Sequence, residues 1–134
     1  MLIAFSLPIV ACSSSGSETS NTETAIKPAK VEVFYFHYTR RCVTCNAVEQ
    51  VTKDALNEFY GDKVKKGEIT FQSVNIEEKD GEAIANKLKV AGQALIFLVN
   101  GKQVDLTDAG FMYAKSNPDK LKTEIKKTID PALK

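Results

Sequence analysis

Six residues, Val31-Glu32-Val33-Phe34-Tyr35-Phe36, do most to limit the folds open to this chain. They are β-branched or aromatic and almost all apolar, so no alternation sets one side aside for water. A strand of this kind is buried on both faces and therefore central in a sheet covered on two sides. It runs into Cys42-Val43-Thr44-Cys45, after which Val48, Val51, Ala55 and Phe59 recur at helical spacing. The spacing predicts a helix that begins at the cysteines, with Gly61-Asp62 as its stop.

The rest of the chain supplies partners for that strand. Ile69 to Ile76 alternates like a second strand, and Asp80 to Lys89, with Ile84 and Leu88 on one side, reads as a second helix. Ala94 to Val99 and Lys102 to Leu106 flank Asn100-Gly101, a pair suited to the positive backbone angles of a type I′ turn, which predicts a hairpin. Phe111, Met112 and Tyr113 suggest a short helical turn within 107–116. Asn117-Pro118 offers a cap and first-turn proline to a last helix with Leu121, Ile125 and Ile129 on one face, ended by Pro131. The order β-α-β-α-β-β-α predicts a three-layer α/β fold. Its four-stranded mixed sheet has a parallel first pair, an antiparallel last pair and helices on both faces.

With 134 residues there is room for one small domain, and a hydrophobic fraction of 43% with 26% charged residues is ordinary for a soluble protein. The formal charge of +1 gives no global field to draw the chain to nucleic acid or acidic lipid. The first eleven residues, MLIAFSLPIVA, carry no charge and are about half of the ~20 needed to cross a bilayer, so they read as a signal-peptide core. Ile9-Val10-Ala11-Cys12 resembles the lipobox of bacterial lipoproteins, which implies that Cys12 is lipidated and becomes the N-terminus. The alternative for Cys12 is a free thiol or a disulfide partner in a tail. No Lys or Arg stands between Leu2 and Val10, where a signal peptide ordinarily carries one. The expected division is signal peptide 1–11, lipidated cysteine and polar tether 12–29, and folded domain 30–134. Export would place the domain where disulfides persist.

Cys42 and Cys45 admit three uses. As a redox couple, Cys42 sits at the exposed end of the helix, where the helix dipole and the neighbouring Arg40 and Arg41 favour thiolate over a free thiol of pKa about 8.5, and Cys45 resolves the mixed disulfide. As soft-metal ligands they hold zinc, copper(I) or trivalent arsenic with His37, although two thiols are too few for a closed zinc site. As a structural staple they close so short a loop that the unfolded chain is little constrained. His37, the only histidine, otherwise reads as a strand-end residue bonded locally.

A central strand running into Cys-x-x-Cys at a helix start resembles the thioredoxin fold, over about Val31 to Leu133 and without thioredoxin's extra N-terminal strand and helix. "SVNIEE" (Ser73 to Glu78) and "LKVAGQALIFLVNGKQV" (Leu88 to Val104) are similar to the family's second-strand end and third-strand hairpin. More narrowly, "YFHYTRRCVTCNAVE" behind a lipoprotein signal is similar to a group of small bacterial thioredoxin-like proteins labelled as a nitrophenyl-compound nitroreductase subunit, the ArsF family. Three positions depart from thioredoxins: Phe36 for the buried acid six residues before the first cysteine, Ser73 for a lysine, and Gln93 for the cis-proline facing the cysteines. The resemblance implies a monomeric, lipid-anchored thiol-disulfide oxidoreductase of the bacterial cell envelope. It would exchange disulfides with a protein or small thiol and a redox partner, with no cofactor and no nucleic acid. The soft-metal module is the alternative.

Overall fold

The computed structural model describes residues 28–134, so the leader, Cys12 and most of the tether lie outside the described residues. Val31–His37 forms β1, the strand on which the sheet is built. It pairs in parallel with β2 (Ile69–Asn75) on one side and antiparallel with β3 (Ala94–Val99) on the other. β4 (Lys102–Asp105) pairs antiparallel with β3, giving the order β2-β1-β3-β4. The turn between β3 and β4 has positive φ at both Asn100 (50°) and Gly101 (81°), as the Asn-Gly pair predicts.

β1 is buried on both faces because successive side chains point opposite ways. Val31, Val33 and Tyr35 join one core with Val48, Val51, Ala55 and Leu56 of α1 (Val43–Lys65) and Leu121, Ile125 and Ile129 of α4 (Pro118–Ile129). Phe34 and Phe36 join a second, smaller core with Val74, Ala94, Ile96 and Ala85 of α2 (Lys79–Lys87). α3 (Thr107–Tyr113) is a full helix where the sequence suggested a turn. A final 3-10 turn, Asp130–Leu133, carries Pro131. No described helix is long and apolar enough to cross a membrane.

Gly61-Asp62 does not stop α1. The helix kinks at Tyr60 (φ −134°, ψ 22°) and continues to Lys65. Tyr60 is anchored there by its hydroxyl, which donates to Asp130 Oδ1 at 2.5 Å, and the extra turn lets Val64 pack on the larger core. The stop is Gly67, at φ 73°. Its N–H donates to Val64 O and the next one, of Glu68, to Lys63 O, a Schellman closure that uses the positive φ glycine tolerates best. α2 closes the same way through Lys89 at φ 56°, with Lys89 N–H donating to Asn86 O and Val90 N–H to Ala85 O.

Candidate active site

β1 delivers the chain to the cysteines at one end of the sheet. Cys42 is the N-cap of α1 (φ −85°, ψ 165°), and its Sγ accepts from Cys45 N–H at 3.1 Å. One of the helix's orphan first-turn donors is thus spent on sulfur, at the positive end of the dipole. Cys42 is exposed and Cys45 is 1% exposed, and the two are joined as a disulfide with Cα atoms 5.0 Å apart. Of the two residues, Cys42 is the one that reaches solvent.

The loop between His37 and Cys42 is tied to the end of β2. Ile76 N–H donates to His37 O at 2.9 Å, Thr39 N–H donates to Glu77 Oε2 at 2.7 Å, and Asn75 Nδ2 donates to Thr39 Oγ1 at 2.9 Å. Hydrogen bonds from Thr39 hold the exposed Glu77 carboxyl below its ordinary range. Asn75 and Glu77 belong to the SVNIEE stretch, so this segment positions the loop that carries the first cysteine.

The two arginines differ in place. Arg40 is exposed. Arg41 turns inward, ion-paired to Glu49 and with its guanidinium 5.7 Å from the Tyr35 ring centroid. Glu49 is buried, one helical turn below Cys45, and also accepts from Lys53 Nζ at 2.6 Å. Burial pushes the Glu49 carboxyl up, but hydrogen bonds and charge from Lys53 and Arg41 outweigh it and hold the group below its ordinary value. Burial also pushes the Tyr35 phenol up to about 12, against the charge of Arg41 and aided by that of Glu49. Tyr35 Oη and Arg41 Nε are buried without a hydrogen-bond partner.

Gln93 precedes β3 and faces the pair, with Oε1 3.2 Å from Cys45 Sγ. No described peptide bond is cis. A methyl group on the neighbouring Gly92 would lie 3.4 Å from the Tyr38 hydroxyl, so the two loops meet beside the cysteines. His37 Nδ1 donates to the Tyr38 carbonyl at 2.9 Å. Among the described residues no three His, Cys, Asp or Glu side chains gather to hold a metal, and the two cysteines are bonded to each other.

The structure is similar to that of oxidised thioredoxin O2 from Arabidopsis thaliana, with a TM-score of 0.52 and 22% identity over 74% of this chain and 75% of that one. The fold is thioredoxin-like. A protein described only as malarial is similar at a TM-score of 0.50 and 22% identity, over 73% of this chain and 96% of that one. No family model and no curated protein sequence matches the chain. On this thioredoxin-like frame Phe36 is fully buried on the α2 side of the sheet and Ser73 is exposed on β2, so neither provides an ionisable group at the cysteines.

The fold brings Cys42, Cys45 and Gln93 together and gives Arg41 to Glu49. Sequence reasoning passed over Glu49, Asn75 and Glu77. Glu49 had a readable signal, since position 49 lies on the helix face shared by Cys42 and Cys45 and next to Val48 and Thr52, which are buried. The ties from Asn75 and Glu77 to Thr39 had none, because they span up to 38 positions.

Proposed function

We propose that the chain is a thiol-disulfide oxidoreductase in which Cys42 attacks or is attacked and Cys45 resolves. The observation that carries this reading is the asymmetry of the pair. Cys42 is exposed, and its sulfur caps a helix and accepts a backbone N–H, while its bonded partner is buried one turn in. A thiolate at Cys42 keeps that hydrogen bond and faces the helix dipole, so Cys42 is the better nucleophile and leaving group. The thioredoxin-like fold supports the same reading.

In this reading Cys12 carries the lipid and residues 13–29 tether the domain at the surface of a bacterial membrane, supported by the apolar opening and the Ile9-to-Cys12 pattern. The YFHYTRRCVTCNAVE stretch supports placing the chain with the ArsF-type proteins, and the substrate class is then a disulfide of a cell-envelope protein or small thiol. Trapping tests it. The reduced Cys45→Ser variant, mixed with a protein disulfide, accumulates a mixed disulfide at Cys42, and Cys42→Ser forms none and loses dithiol-driven reduction. Unchanged reduction by Cys42→Ser would sink the proposal.

A further inference from the structure

The buried sulfur has one polar side chain at hand. Gln93 Oε1 lies 3.2 Å from Cys45 Sγ, and among the described residues no other side chain is hydrogen-bonded to that sulfur, whose covalent partner is Cys42. A disulfide sulfur carries no proton, so this contact gains its full strength only when Cys45 is reduced. A thiol donates to the amide oxygen, and a thiolate accepts from the amide N–H2. A primary amide has both ends, whereas a carboxylate accepts only and a proline does neither.

Resting on the oxidoreductase reading above, we propose that Gln93 is a catalytic residue for the Cys45 half of the exchange. Its amide holds Cys45 through Oε1 as a thiol and, after rotation about its last torsion, through Nε2 as a thiolate. In the resolving step the Cys45 proton passes to water, since an amide does not take it up. The thiolate then attacks Cys42 Sγ, the Cys45–Cys42 bond forms, and the bond from Cys42 to the substrate sulfur breaks. The substrate leaves as a thiolate with the electron pair and is protonated by water. Over the whole cycle the dithiol gives two electrons to the substrate disulfide. In the reverse direction Cys45 is the leaving group.

Either way, negative charge forms on a sulfur that is 1% exposed, where burial opposes it. Phe36 and Ser73 bring no ionisable group to the cysteines, the Glu49 carboxylate with Arg41 and Lys53 lies a turn further down the helix, and the side chain in hydrogen-bond contact with Cys45 Sγ is the Gln93 amide. A hydrogen bond to a charged group in a buried site is worth about tenfold or more in rate.

The test reacts the reduced protein with a symmetric nitrobenzoate disulfide, whose coloured thiolate is released first as Cys42 is capped and again as Cys45 resolves. Gln93→Leu leaves the first phase within twofold of the wild type and slows the second by about tenfold or more. Gln93→Met, which keeps the length of the side chain but offers a thiolate no N–H, slows it to a similar extent. The couple also becomes harder to reduce in Gln93→Leu, with the equilibrium against a dithiol buffer shifted about tenfold, or about 30 mV. A second phase and a potential unchanged in both variants overturn the proposal, as does equal slowing of both phases. Should Gln93→Leu not fold, Gln93→Met carries the same two readouts. The reagent needs no physiological substrate, so the two readings can fail separately. A chain that reduces no protein disulfide yet shows the slowed second phase refutes the oxidoreductase reading alone. One that reduces proteins with an unaltered second phase refutes only the role of Gln93.

Discussion

Arg41 shows how far a residue's neighbours in sequence are from its neighbours in space. It stands next to Cys42, yet its guanidinium belongs to Glu49 and lies against Tyr35. Replacing Glu49 with Gln removes the charge that pairs with Arg41 and Lys53. Because Arg41 is only about a quarter exposed (27%), the loss is larger than for a surface pair, and we expect about 1 to 3 kcal/mol in chemical unfolding of the oxidised protein. The pH dependence has a fixed sign. The Glu49 carboxyl is held below its ordinary value of 4.5, so its stabilisation is present above that value and lost as pH falls through the depressed one. The gap between wild type and Glu49→Gln therefore closes in acid, and a gap that persists undiminished at low pH would show that the ion pair is not its source.

Helix endings mark what an element's own sequence reveals. The Asn100-Gly101 turn, the Asn117 cap, whose Oδ1 accepts from Lys120 N–H at 3.2 Å, and the helix start at Cys42 were all legible, because each is decided by residues in sequence contact. The end of α1 was not. Gly61 and Gly67 both look like stops, and the choice depended on Val64 finding the core and Tyr60 finding Asp130. At α2 the Schellman position holds Lys89 at φ 56°, where a Cβ is strained and glycine is not. Lys89→Gly is expected to raise the melting free energy by about 0.5 to 1 kcal/mol. Gly81→Ala acts in the opposite sense. Its Cβ would fall 1.8 Å from Asn75 O, so α2 must move off β2, and a loss of several kcal/mol or failure to fold is expected in the same unfolding measurement.

At the scale of the whole molecule the two faces of the sheet are covered unequally. α1, α3 and α4 share the larger core, and α2 alone covers the smaller one. Ile125 of α4 is fully buried, whereas Ile84 of α2 is half-buried. Ile125→Ala should cost about 2 to 5 kcal/mol and Ile84→Ala distinctly less, read from paired denaturant curves. Equal losses would mean that α2 is as firmly packed as α4.

The sequence by itself determined the central strand, the mixed four-stranded sheet, the hairpin and the cysteine pair at a helix start. Each of these is written in hydrophobic period or turn chemistry over a few neighbouring residues. Only the tertiary structure decided what surrounds the cysteines. Thr39 is fixed by Asn75 and Glu77, Arg41 is drawn down to Glu49, and Gln93 reaches Cys45 from 48 positions away. Such contacts depend on which strands lie side by side, and side-chain hydrogen bonds act over about 3 Å with no local pattern in the chain to announce them.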